Sequence, residues 1–257
     1  MEYDHVLELL ESNYLKYNNP AFIENDPISI PHLFTSLQDI EISGFFAATL
    51  AWGLRKTIIN KSMELMQLFD FAPYDFIKGH SDDDLKPLLN FKHRTFNATD
   101  LLYFIHFLKE CYSKYNSLEE IFRPVNNKEL NVKNGINKFN ILFTSDEYFP
   151  ARTGKHLASP SKNSACKRIN MFLRWMVRTD EHGVDFGIWK NIKPNQLICP
   201  CDVHVERIAR KLGLITRKQI DWKLALQLTE NLKKLDPTDP VKYDFALFGI
   251  GIHQERD

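Results

Sequence analysis

The chain has 257 residues and a mass of 30.1 kDa, enough for one large domain or two small ones. At 44% hydrophobic and 26% charged it is neither disordered nor fibrous, and 10 Gly and 12 Pro leave little material for the turns of a sandwich or barrel. Lys plus Arg equals Asp plus Glu at 33 each, so no global charge announces a nucleic-acid or membrane partner. Four cysteines, Cys111, Cys166, Cys199 and Cys201, are too few and too scattered for a disulfide framework. The start MEYDHVLELLESNYLK is acidic where a secretory leader is basic. The longest apolar run, GFFAATLAWGL at 44–54, is about half the roughly 20 residues that span a bilayer. These features predict a soluble cytoplasmic protein.

The first predicted element is a helix, with Val6, Leu9, Leu10, Tyr14 and Tyr17 at three- and four-residue steps. Pro20, Pro27 and Pro31 then predict an extended connector. From Asp39 to about Phe69 the helical period returns, interrupted by Gly53, so two helices are expected to meet near Trp52-Gly53-Leu54-Arg55. Thr99 to Tyr112 forms another, and Ile136–Phe143 is a short candidate within the weakly patterned stretch 123–160. The capping residues Ser159 to Ser164 introduce a helix marked by Ala165, Ile169, Phe172, Leu173 and Met176, ending near Arg178. Gly183 and Gly187 break the chain. Asp202 stands as an N-cap before Val205, Ile208, Ala209 and Leu212, and Gly213 as the C-cap. Helices at Trp222–Leu235 and Tyr243–Ile250 complete an all-α reading. It is a single globular unit with an N-terminal lobe at about 1–125 and a C-terminal lobe at about 150–257.

Charge separates along this layout. Residues 1–50 hold Glu2, Asp4, Glu8, Glu11, Glu24, Asp26, Asp39 and Glu41 against Lys16 alone. Residues 151–178 hold Arg152, Lys155, Lys162, Lys167, Arg168, Arg174 and Arg178 and no acid. A second basic cluster follows at Arg207, Arg210, Lys211, Arg217 and Lys218. A neutral protein with one basic end can hold a phosphate backbone, because screening over about 8 Å makes the local patch decisive. The plain alternative is a solvated helix face.

The segment Cys201-Asp202-Val203-His204-Val205-Glu206-Arg207 follows the basic helix containing Lys167-Arg168-Ile169-Asn170. Here the chain resembles the helix-hairpin-helix/GPD superfamily of DNA base-excision glycosylases, including endonuclease III and the archaeal 8-oxoguanine glycosylases. In that superfamily a lysine early in one helix precedes a V-D-T/V-H-V-x-R segment whose Asp caps the next. Over nearly its whole length the chain is similar to a bacterial family of uncharacterised proteins related to that superfamily. The resemblance implies a two-lobed all-α fold and DNA base excision, with Lys167 as nucleophile and Asp202 as its carboxylate partner. The glycines of the usual hairpin are replaced by Asn163-Ser164-Ala165-Cys166, so the hairpin is atypical or missing. The spacing from Lys167 to Asp202 is longer than in the standard enzymes, so the resemblance implies that residues around 179–198 form an insertion between the two helices. No cysteine follows Cys201, so no iron–sulfur cluster is expected.

The residues make a physical case of their own. A glycosylase with lyase activity needs an amine to attack the anomeric carbon, and a carboxylate to offset the cationic sugar and handle protons. On a helical wheel Lys167 falls with Arg174 and Arg178, opposite Ala165, Ile169, Phe172 and Met176. Those neighbouring cations would favour a free amine. Amide donors and the dipole at a helix N-terminus would stabilise the Asp202 carboxylate. Asp202 could equally be an N-cap alone, and Lys167 a solvated lysine. Lys162 is the alternative nucleophile, or a phosphate ligand at the helix start. His204 reads more readily as a packed histidine than as a base, and Cys199, Cys201 and His204 are too crowded to converge on a metal. Trp52 and Trp175 could stack on an extruded base, though aromatics in apolar helices are usually core.

The expected partner is double-stranded DNA with a damaged base, bound by a monomer without metal or organic cofactor. The damaged nucleotide would be flipped into the cleft between lobes. The contacts would be Arg152, Lys155, Arg168, Arg174, Arg178, His204, Arg207 and Arg210, with Trp52 as the stacking platform. Two other readings are open. One is a non-catalytic nucleic-acid-binding protein of the same fold. The other is a hydrolase of a nucleotide or modified RNA with Asp202 as base.

Overall fold

A computed structural model describes residues 3–125 and 129–253. Glu2 of the acidic start lies outside them. The helices are α1 (Tyr3–Tyr17), α2 (Pro20–Glu24), α3 (Leu37–Leu50), α4 (Arg55–Leu68), α5 (Pro73–Gly79), α6 (Asp82–Leu85), α7 (Ala98–Lys114), α8 (Glu119–Phe122), α9 (Lys133–Thr144), α10 (Lys167–Val177), α11 (Val203–Lys211), α12 (Trp222–Leu235) and α13 (Tyr243–His253). Among the described residues the strands are β1 (Lys92–His93) and β2 (Phe96–Asn97), one antiparallel hairpin pairing His93 with Phe96. The chain is all-α in class, as its period requires.

The connector at residues 20–31 differs from expectation. Pro20 opens α2, and Pro27 and Pro31 open 3-10 turns at Pro27–Ser29 and Pro31–Leu33. A proline lacks only a donor that the first helical turn leaves unused, so it starts short helices as readily as it breaks long ones.

Contacts divide the chain into two compact units, whose bounds differ from lobes at about 1–125 and 150–257. Unit 1 comprises residues 1–22, 124–134 and 159–257; unit 2 comprises 23–123 and 135–158. The first helix therefore belongs with the C-terminal half. In unit 1, α13 lies against α1 and α11. A Cβ on Gly249 of α13 would stand 2.1 Å from Tyr17 of α1, so the two backbones approach closely. Phe22 and Phe245 pack edge to face, and Tyr243 donates to Glu11 at 2.6 Å.

Unit 2 is built on a phenylalanine core. Phe45, Phe46, Phe104, Phe139 and Phe143 are buried and in ring contact, binding α3, α7 and α9 together. Glu41, fully buried on α3, accepts from Tyr112, Ser117 and the Leu118 amide, which spares the interior an unpaired charge. The expected junction of two helices is present: α3 ends at Leu50, Gly53 takes φ +103°, and α4 starts at Arg55. No described helix is long and apolar enough to cross a membrane.

Candidate active site

Three local features of unit 1 set the candidate site. Ser159 caps a 3-10 turn at Pro160–Lys162, and Asn163 and Cys166 both adopt the left-handed conformation, φ 56° and 53°. The capping run therefore does not itself open a helix: α10 begins only after the second left-handed residue, at Lys167. Asn163 is further held by its Nδ2 donating to Asp221, the N-cap of α12, at 3.1 Å. The third feature is the N-cap of α11. Asp202 Oδ1 accepts from the amides of His204 and Val205, both at 3.0 Å.

These features bring Lys167 and Asp202 together. Lys167 Nζ lies 3.8 Å from Asp202 Oδ2, and the side chains are 27% and 23% exposed. Lys167 Nζ also lies 3.5 Å from Met171 Sδ, one turn along α10. An amine and a carboxylate thus meet at a site open to solvent but shielded on the side of α10. Lys162 is exposed in the preceding turn, and no described bond joins it to Asp202.

The basic side of α10 is the main correction. Arg174 and Arg178 were expected to face DNA, yet they are 3% and 1% exposed. Arg174 Nε donates to Asp185 at 3.3 Å, and its Nη1 donates to Asp244. Arg178 donates to Asp185 at 3.2 Å, to Asp239 at 2.8 Å and to the Tyr14 hydroxyl at 2.7 Å, and pairs with Asp180 at 2.7 Å. Both guanidinium groups lie over the Phe245 ring, at 4.2 and 5.5 Å. Burial works against the Arg178 charge, but Asp185, Asp239, Tyr14 and Asp180 more than offset it. Every residue of α10 from Ile169 to Val177 is buried, so the wheel's polar side faces aspartates rather than solvent.

Arg174 and Arg178 are thus paired with carboxylates, and the charged group that meets Lys167 is Asp202. Asp244, in the first turn of α13, was missed from sequence. It is 6% exposed, and the charges of Arg174, Lys167 and Asp202 all act on it. Burial raises its carboxyl to about 6. A signal existed: Asp244 is the acid of the otherwise apolar YDFALFGIGIH, and a charge within such a helix needs a partner. Cys199 and Cys201 are buried beside these acids. Burial pushes both thiols up, Cys201 to about 12, and no group of metal-ligating side chains is found among the described residues.

The remaining predicted contacts fall as follows. Arg207 is half-buried and donates to the Gly251 carbonyl at 2.6 Å. Arg210 pairs with Glu206, and Arg168 is half-buried, with burial working against its charge. His204 is half-buried, its Cβ 3.0 Å from where a Cβ on Gly251 would stand. Arg152, Lys155 and Trp52 belong to unit 2. Arg152 braces the N-cap of α7, donating to Asp100 at 2.6 Å and to Asn97 at 2.7 Å, while Lys155 is exposed. Trp52 is half-buried, edge-on to His93 at 4.9 Å and tilted on His156 at 5.7 Å. Trp175 is fully buried core.

A family model described as "Protein of unknown function (DUF2400)" matches residues 26–253. No curated protein and no solved structure matches the chain.

Proposed function

The chain belongs to the DUF2400 family of proteins of unknown function, and we propose that it carries a DNA base-excision site with Lys167 as nucleophile and Asp202 as the carboxylate. The observation behind this reading is the 3.8 Å approach of Lys167 Nζ to Asp202 Oδ2 from 35 positions apart, with both groups still reachable by solvent. The resemblance of these two segments to the helix-hairpin-helix/GPD glycosylases supports the same roles. In unit 1 the exposed Lys162 remains as a phosphate contact.

In this chemistry the amine's lone pair forms a bond to C1′ while the bond from C1′ to the base breaks. The base leaves with that electron pair and takes up a proton. Asp202 offsets the positive charge that develops on the sugar, which a neutral group cannot do. The nitrogen now bonded to C1′ loses a proton and its lone pair breaks the C1′–O4′ bond, O4′ taking up a proton, which leaves a Schiff base between Lys167 and the opened sugar, with strand cleavage following by elimination.

Borohydride trapping on a panel of lesion-containing duplexes, with matched RNA, tests the reading. A covalent adduct with the wild-type chain is expected, absent in Lys167→Ala and kept in Lys162→Ala. An adduct lost only in Lys162→Ala would transfer the role to Lys162. Binding without an adduct on any lesion would leave a non-catalytic nucleic-acid-binding protein.

A further inference from the structure

Three short segments of unit 2 make one cationic surface: residues 52–56 at the α3–α4 corner, residues 92–95 at the hairpin, and the 3-10 turn Ala151–His156. Their packing ties them to one another. His93 Nε2 lies 3.3 Å from the Trp52 carbonyl, the Trp52 ring meets both His93 and His156, and Arg152 Nη2 donates to the Thr95 carbonyl at 3.2 Å. Arg94, left-handed at φ 53°, lays its guanidinium across the corner, where a Cβ on Gly53 would stand 2.7 Å from its Nη1. Only a glycine leaves room for it there.

The charge on this surface is unbalanced. Lys56, Lys92, Arg94 and Lys155 are all exposed, and none pairs with an acid among the described residues. Segments 52–56, 92–95 and 151–156 contain no acid. Two carboxylates close by are already engaged. The buried Asp100 is held by Arg152 at 2.6 Å and Thr153 at 2.7 Å, and Glu64 by Lys61 at 2.6 Å, whose amine also lies over the Phe91 ring. Lys56 stands in the first turn of α4, where the helix dipole disfavours a cation. Repulsion among such cations is relieved when an anion spans them.

We infer that this surface of unit 2 binds the phosphate backbone of a nucleic acid through Lys56, Lys92, Arg94 and Lys155. It involves neither Lys167 nor Asp202, so its binding does not rest on the base-excision reading. A phosphate chain presents evenly spaced anions that cations from separate segments can meet together. The exposed Thr57 and Thr95 add hydroxyl donors for phosphate oxygens. Among the described residues of these segments, Leu54, 77% exposed, is the large apolar side chain that stands free. One such side chain is too little to anchor a membrane or to form the buried core of a protein interface.

Binding of the full chain to a short undamaged DNA duplex, and to an RNA duplex of the same sequence, is measured across salt concentrations. The wild type is expected to bind at low salt, with a log–log slope of about 0.9 for each phosphate met. The quadruple variant Lys56→Gln, Lys92→Gln, Arg94→Gln and Lys155→Gln should weaken binding at least about tenfold and flatten the slope by roughly two to four. A control variant changes net charge equally on other elements, with Lys114→Gln, Lys133→Gln, Lys138→Gln and Lys234→Gln, all at exposed lysines. It should leave affinity within about twofold of the wild type. Loss of binding to either duplex in the first variant and not in the control supports the surface.

Acetylation of the wild-type chain with and without duplex decides the matter even if the variant fails to fold. Lys56, Lys92 and Lys155 should be protected by the duplex, and Lys114 and Lys138 should not. No wild-type binding at low salt, equal effects of the two quadruple variants, or no protection of the three lysines overturns the inference. Binding to phosphatidylserine vesicles in place of both duplexes overturns it too, since the surface would then be a membrane contact. Borohydride trapping reports Lys167 on damaged duplex, whereas this binding is read on undamaged duplex, so a failure of one leaves the other standing.

Discussion

Asp202 divides its two oxygens between structure and chemistry: Oδ1 caps α11 through two amides, while Oδ2 faces Lys167 Nζ at 3.8 Å. The two roles are separable, because an asparagine caps a helix about as well as an aspartate but carries no charge. Asp202→Asn is expected to change stability by less than about 0.5 kcal/mol and to slow base release by several kcal/mol of lost stabilisation, a hundredfold or more. Thermal melts and single-turnover excision on the substrate found by trapping measure the two effects. A large fall in melting temperature, with activity tracking the folded fraction, would make Asp202 a cap only.

Arg178 should behave as a structural cation. Arg178→Ala leaves Asp185, Asp239 and Asp180 facing one another in a buried site, and is expected to cost about 3–5 kcal/mol. Denaturant unfolding reads this directly. A neutral effect on stability, with a flatter salt dependence of duplex binding, would instead restore the role expected from sequence.

The carboxyls of unit 1 make stability pH-dependent in two opposite senses. Asp180 is held at about 2, where Arg178, Asn18 and the His182 amide outweigh burial. Its contribution is present above the unfolded value of about 3.9 and is lost as pH falls towards 2. Asp244, raised by burial to about 6, contributes most below about 3.9, and its contribution is lost as pH rises through 6. The destabilisation caused by Asp244→Asn should therefore shrink between pH 4 and pH 7. Urea midpoints of both proteins at the two pH values check the sign; a gap that widens would contradict it.

Close packing of α1 and α13 predicts a sharp glycine effect. Gly249→Ala places a methyl 2.1 Å from the Tyr17 ring and is expected to cost about 1–3 kcal/mol. Gly79→Ala, where an added Cβ meets nothing within 4 Å, should be neutral or stabilise by up to about 1 kcal/mol. Melting temperatures of the two variants, compared with wild type, decide whether the helix contact is as tight as drawn.

Local pattern sufficed for much of the fold. The three- and four-residue steps placed α1, α3, α4, α7 and α10 to α13, and Asp202 and Gly213 marked the ends of α11. Those features are decided within a few residues, by side-chain period, amide capping and the left-handed φ of 72° at Gly213. The short helices α5 and α6 and the β1–β2 hairpin carried too little periodic signal to be read. The join of Lys167 to Asp202 was legible through resemblance, since neither residue's neighbours specify the other.

The fate of the basic helix was decided only in three dimensions. Its wheel shows that Lys167, Arg174 and Arg178 share a side, and says nothing of what lies opposite. Asp185 follows Arg178 by seven residues, whereas Asp239 and Asp244 follow it by more than sixty. Whether a cation meets solvent, a phosphate or an aspartate depends on which distant segment packs against it. In water the first outcome costs nothing; in an interior only the paired charge is tolerated, so the tertiary fold turned a run that reads as a nucleic-acid contact into a buried ionic network.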